Sequence, residues 1–129
     1  MNKANEAVVM AHLAALSRGD VAAAMDSYTE DGALHYPGRN KLIGHHKGKP
    51  GVTSFLSKAM ELTNGTFRPE VRDILSNNQH VVLLVVCRAQ RDGKSFEWSA
   101  VDVYAVRNGK IAEHWVYESD QHTVDEVFR

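Results

Sequence analysis

The second half of the chain carries the tightest constraint. After Asn64-Gly65, four apolar-rich runs follow one another: TFRPEVRDILS, HVVLLVVCRAQ, KSFEWSAVDVYAV and KIAEHWVYES. Only NNQ, RDG and RNG separate them. Between strands, connections that short join antiparallel neighbours, because a parallel pair needs a crossover of a dozen residues or more. The spacing therefore predicts a four-stranded meander. Its last hairpin, VDVYAVRNGKIAEHW, holds a carboxylate and an imidazole inside strands, at Asp102 and His114. Such residues belong either to a wet sheet face or to a pocket.

Side chains alternate along a strand, so register decides which residues meet. A two-residue turn at Asn108-Gly109 sets Asp102 opposite Trp115. A three-residue loop, Arg107-Asn108-Gly109, with Gly109 in a left-handed bulge, sets Asp102 opposite His114, Ala100 opposite Val116 and Trp98 opposite Glu118.

The first half reads as helical. Val8, Val9, His12, Leu13 and Leu16 recur at helical spacing over residues 4 to 17. SRGD stops that helix, and Asp20 caps a second from Val21 to Tyr28. TEDGA reads as a turn, ALHY as a short strand ended by Pro37-Gly38, and GRNKLIGHHKGKPG as a glycine-rich connection. A third helix is expected from about Gly51 to Leu62, with Val52, Phe55, Leu56 and Ala59 on one side. The tail, DQHTVDEVFR, is a short helix or an extended arm. Helices followed by a long meander make a single α+β domain over residues 1–129. A bent sheet wrapped around a helical layer would leave a conical cavity.

Composition excludes several roles. The 129 residues carry a formal charge of −1 and no basic block longer than two residues, so the footprint of a nucleic-acid binder is missing. The strongest apolar run, Val81 to Cys87, is too short to span a membrane. The start, MNKANEAVVMAHLAAL, runs straight into the amphipathic pattern of the first helix rather than forming a signal peptide. The one cysteine, Cys87, allows no internal disulfide, which fits a reducing cytoplasm; it reads as a small buried apolar residue.

Three stretches, RGDVAAAMDSYTEDGALHYPG, HKGKPGVTSFLSKAM and VDVYAVRNGKIAEHWVYESD, resemble the nuclear transport factor 2-like superfamily in order and spacing. That group includes ketosteroid isomerases, scytalone dehydratase, limonene epoxide hydrolase and the SnoaL-like polyketide cyclases. NGKIAEHW looks most like the SnoaL-like branch. The resemblance implies a cone, a curved antiparallel sheet wrapped around the N-terminal helices. It does not by itself imply one chemistry, since one fold hosts many. The isomerase base falls on Tyr36, before Pro37, and the helix tyrosine on His12; only the strand acid is kept, as Asp102. A tyrosine with a pKa near ~10 is a poor base at neutral pH, so steroid-type isomerase chemistry is disfavoured. Arg88 and Gln90 stand where the epoxide hydrolases have an Arg–Asp pair, so that triad looks broken. The cyclases work without a cofactor and rely on an acid near the end of the last strand, for which Asp120 is the counterpart.

The superfamily's pocket-facing positions favour the three-residue loop, which sets Asp102 and His114 about 4.5–5.5 Å apart at Cβ. The pair would orient the ring as an acid or base. Asp120, His12 and Tyr36 would be further donors or bases, and Trp98, Phe55, Met60, Val85, Val116 and Glu118 would line the cavity. Each has a plainer reading. The odd set Ile111, Trp115 and Tyr117 is more apolar than the even set, so simple amphipathicity would put His114 and Glu118 in water. His12 and Tyr36 could be packed residues, the aromatic set could be core, and Glu118 and Asp120 strand-end charges. His45 and His46 are adjacent, point apart and lack a completing ligand, so no metal is expected.

The expectation is a cofactor-independent acid–base enzyme acting on a small apolar carbonyl or polyketide-like molecule. The alternative is a non-catalytic binding or assembly module of the same fold. An outer face bearing Val101, Val103, Trp115 and Tyr117 would leave a large patch on a monomer, so a homodimer is expected.

Overall fold

The computed structural model describes residues 1–129. The four runs form an antiparallel meander of β3 (Arg68–Ser76), β4 (His80–Arg91), β5 (Lys94–Arg107) and β6 (Lys110–Glu118). Burial alternates strictly along β4: Val81, Leu83, Val85, Cys87 and Ala89 are buried, while the residues between them face out. Two further strands extend the sheet past β6. β1 (Tyr28–Tyr36) lies parallel to β6, and β2 (Gly44–Lys47) pairs antiparallel with β1. The order is β2-β1-β6-β5-β4-β3. Register shifts interrupt β1, β3 and the β5–β6 pair, and such bulges bend and twist a sheet.

The helices are α1 (Lys3–Ser17), α2 (Val21–Asp26), α3 (Gly48–Leu62) and α4 (Gln121–Val127). The Asn2 side chain caps α1 through Asn5 N, and Asp20 caps α2 through Ala23 N. α1 buries Glu6, Val9, His12 and Ala15, one residue every third, as a helix face requires. α4 closes one end of the interior with Val124 and Val127, and Phe128 follows them inward; none of the three is exposed. The result is the expected α+β cone. No helix is long and apolar enough to cross a membrane.

Three expectations change. α2 ends at Asp26, and Tyr28-TEDGALHY is one interrupted strand rather than a helix end, a turn and a short strand. Gly32 makes this possible: a Cβ there would lie 2.9 Å from the Tyr28 ring and 3.2 Å from the Ile111 carbonyl oxygen. The glycine-rich connection contains β2, because GHHK finds the free edge of β1. Met60 does not line the interior; α3 buries Val52, Phe55 and Ala59, and Met60, one residue past that stripe, is 43% exposed.

The hairpin register is the fourth correction. Asn108 and Gly109 both have positive φ, 51° and 75°, which makes a two-residue turn with Arg107 opposite Lys110. The three-residue loop is not used. Val106 faces Ile111, but Ala105 faces Glu113, so Ala112 is an extra residue in β6. The bulge moves every later pair by one position. Ala100 therefore faces Glu118, Asp102 faces Val116 and Tyr104 faces His114. These pairs differ by two residues from the expected ones. Because strand faces repeat every two residues, the even set still points inward.

Candidate active site

Alternation along β5 and β6 sends Trp98, Asp102, Tyr104, His114 and Glu118 to the concave face. Asp102 and His114 are diagonal neighbours there, and His114 Nε2 lies 2.8 Å from Asp102 Oδ1. Their side chains are only 15% and 9% exposed, so the contact is largely shielded from water. An ionised carboxylate only accepts, so Nε2 carries the proton and donates. Nδ1 is then an acceptor, and the Tyr28 hydroxyl donates to it at 3.3 Å. Burial, and then the charge of Asp102, pushes the Tyr28 hydroxyl far above its ordinary range, so it keeps its proton. The Tyr104 ring stacks on His114 with centroids 4.0 Å apart and planes 18° apart. The imidazole is thus held at both nitrogens and on one face.

His12 approaches from α1. Its Nδ1 donates to the Ala24 carbonyl at 2.9 Å, and its ring meets Tyr28 edge-on at 5.2 Å. Burial pushes its pKa down to about 4, so the ring is neutral at pH 7.

A second polar group lies further along the same face. Glu118 has its pKa pushed up to about 7, chiefly by burial, with the Asp102 charge adding to it. The Tyr36 hydroxyl and the Trp98 indole N–H oppose that rise from close by. Neither contact completes the set: Glu118 Oε2 and Trp98 Nε1 are buried without a hydrogen-bond partner. Burial and the Glu118 charge in turn hold the Tyr36 hydroxyl protonated. Phe55 packs on Tyr36 at 4.9 Å, and Val85 and Val116 stand on the inner face between the two groups.

Asp120 is not brought to either group. It is the N-cap of α4, exposed, accepting from Thr123 N at 3.1 Å and Thr123 Oγ1 at 2.7 Å. Those bonds lower its pKa. The acid that ends β6 on the inner face is Glu118. Tyr28 is not among the residues expected at the site, because the sequence pattern makes it the end of the second helix, whereas it begins β1. Tyr104 shares the parity of Asp102 and was legible from alternation alone.

Residues 9–114 match the SnoaL-like domain family. The chain belongs to that family. An uncharacterized Mycobacterium tuberculosis protein, Rv0034, is 30% identical over 99 residues, covering 76% of each chain. Among solved structures, Bal32a from a soil-derived mobile gene cassette superposes with a TM-score of 0.93 at 25% identity, over 98% of each chain. A candidate polyketide cyclase of Xanthomonas campestris superposes with a TM-score of 0.73 at 22% identity, over 95% of this chain and 96% of that one. This SnoaL-like chain therefore has the nuclear transport factor 2-like fold, shared by neighbours that include one named for cyclase activity.

Proposed function

We propose that this SnoaL-like protein is a cofactor-independent acid–base catalyst for a small, largely apolar carbonyl or polyketide-like substrate. The observation that carries this reading is the Tyr28–His114–Asp102 hydrogen-bond chain on the inner face. Both ring nitrogens of His114 are taken, so the imidazole orients the carboxylate, and Asp102 Oδ2 is the oxygen left to meet a substrate. That oxygen takes a proton from the carbon beside a carbonyl, the C–H electron pair moves into the carbonyl, and the Tyr36 hydroxyl turns from Glu118 to donate its proton in a hydrogen bond to the developing oxyanion. Proton transfer by a placed group is worth roughly 10²–10⁴-fold. The family's cyclase-named neighbour supports this reaction class, and the lone buried Cys87 supports a cytoplasmic setting.

The test is α-proton exchange of 2-tetralone in D₂O followed by NMR. The protein should accelerate exchange, and Asp102→Asn should remove most of the acceleration. Exchange at the buffer rate with wild-type protein would refute catalysis of this class.

The outer sheet face favours a second reading, a non-catalytic assembly module. Leu84, Val86, Val101 and Tyr117 line an open concavity of about 460 Å³ there, and Tyr117 is 58% exposed. We propose that this face makes a homodimer under either reading. A dimer with no exchange activity and no bound small molecule would favour the module.

A further inference from the structure

Charge is distributed unevenly along this chain. Residues 32 to 60 hold Arg39, Lys41, Lys47, Lys49 and Lys58 and not one Asp or Glu, although the chain has 16 acidic residues. Four of these cations fall between residues 39 and 49, on the strap that leads from β1 through β2 into α3. Lys49 Nζ is paired with Glu30 at 3.0 Å and Lys58 Nζ reaches Glu61 at 3.9 Å, but Arg39, Lys41 and Lys47 pair with no carboxylate. Two acids adjoin the strap, and both are engaged. Asp125 accepts from Arg39 N, Asn40 Nδ2 and Gln121 Nε2, and Glu113 accepts from His35 Nε2. Even with Asp125 counted, the strap keeps a surplus of positive charge.

The strap is held in shape. Lys41 N donates to the Phe128 carbonyl at 3.0 Å, Leu42 N to Asn40 Oδ1 at 2.8 Å, and His46 Nε2 to the Leu42 carbonyl at 2.6 Å. Leu42 is 1% exposed and anchors the strap, whereas the next residue, Ile43, is 47% exposed. One exposed aliphatic residue needs no explanation by itself. This one stands on a fixed backbone among three unpaired cations. It lies at the β2 edge of the sheet, away from the outer-face concavity, which is lined from β3 across to the end of β6.

We propose that residues 39–47 dock the protein reversibly on an anionic phospholipid bilayer, with Ile43 entering the acyl boundary and Arg39, Lys41 and Lys47 among the headgroups. A protein partner would need roughly 1,000 Å² of shaped, complementary surface. A bilayer needs only a projecting apolar tip with cations beside it, because fluid lipids mould to the tip. Each cation near such a surface strengthens binding about fivefold, so three cations and one tip give a weak attachment that salt reverses. The attachment is peripheral, since no helix is long and apolar enough to cross the bilayer. The strap also meets α4 through Asp125 and Phe128, so docking turns the α4 end of the cone toward the lipid. It is independent of any chemistry at Asp102.

The test is co-sedimentation of the protein with vesicles of phosphatidylcholine alone and of phosphatidylcholine with about 30% phosphatidylserine, at about 0.05 M and about 0.5 M salt. Binding is expected only to the anionic vesicles and only at low salt. Lys41→Gln combined with Lys47→Gln should weaken it by about 25-fold, and Ile43→Ser by about fivefold. The control is Arg68→Gln combined with Arg107→Gln, which removes the same charge from β3, at the opposite sheet edge, and from the end of β5. It should bind within about twofold of wild type, because salt screens distant charge. All five positions are exposed, so the variants should keep the wild-type circular dichroism. No binding of wild-type protein to anionic vesicles at low salt, or equal binding to both vesicle types, would overturn the proposal whether or not the variants fold. A control pair that weakens binding as much as the strap pair, or Ile43→Ser that binds like wild type, would also overturn it. Failure on vesicles together with salt-sensitive binding of a poly-glutamate peptide would replace the lipid by an acidic protein.

Discussion

His114 donates to Asp102 at 2.8 Å although neither stands opposite the other in the sheet. Val116 faces Asp102, and Tyr104 faces His114. The bond is diagonal, across two adjacent rungs of one face. It is available because the imidazole reaches along the strand while Tyr104 supports its ring.

Asp102→Asn should therefore unsettle the ring rather than the fold. The amide keeps an acceptor but loses the charge that fixes the proton on Nε2. Imidazole ¹⁵N shifts should report one tautomer in the wild type and a mixture in the variant. The stability loss should be about 1–3 kcal/mol, as for a hydrogen bond to a charged group. An unchanged tautomer in Asp102→Asn would show that the carboxylate does not set it.

Glu118 and His12 should pull stability in opposite directions with pH. Glu118 rises from 4.5 to about 7 in the folded protein, so its contribution is full below pH 4.5 and is lost as pH climbs through 7. His12 falls from 6.5 to about 4, so its contribution is full above pH 6.5 and is lost as pH drops through 4. Between these values the two slopes offset each other in the wild type. Chemical denaturation of Glu118→Gln should show a stability gain over wild type that widens from pH 4.5 to 7.5, by up to about 3 kcal/mol. The gap for His12→Gln should widen in the other direction, from pH 6.5 down to 4. A gap that stays flat with pH in either variant would mean that the group is hydrated in the folded protein.

Inserting an alanine between Ala112 and Glu113 should be far more damaging than deleting Ala112. The deletion removes the bulge but leaves Ala105 facing Glu113, Tyr104 facing His114 and Asp102 facing Val116. The insertion moves every pair beyond Ala112 by one further position, which turns the rest of β6 inside out. Circular dichroism and thermal melting should show a cooperative transition for the deletion and its loss for the insertion. An insertion variant that melts like wild type would show that this register does not hold the inner face.

Leu84→Lys should test the outer face. Leu84 is 39% exposed and borders Val101 and Tyr117 on that face. A charge there would be desolvated in a dimer and harmless in a monomer. Light scattering should give a dimer for wild type and a monomer for the variant with unchanged circular dichroism. A monomeric wild type at high concentration would remove the dimer.

The meander, the helices and the even set that shares one sheet face are legible from sequence because they depend on local matters: strand spacing, turn residues and the period-two alternation; that this face points inward is not, since the odd set is the more apolar. His12, Asp102, His114 and Glu118 can be read off that alternation and the helical repeat. The site itself is not so readable. Tyr28 reaches His114 only because β1 runs parallel to β6, and no local pattern announces a pairing between elements 86 residues apart. Ala112 has no distinguishing chemistry; it becomes a bulge because the Asn108-Gly109 turn and the burial of the even face demand different registers, and one extra residue reconciles them. Asp120 and Glu118 are two residues apart and equally acidic, and only the end of β6 and the start of α4 make one an exposed cap and the other a buried acid. The sequence by itself determined which faces the residues share; the tertiary structure decided which of them touch, because contact depends on register and on partners remote in the chain.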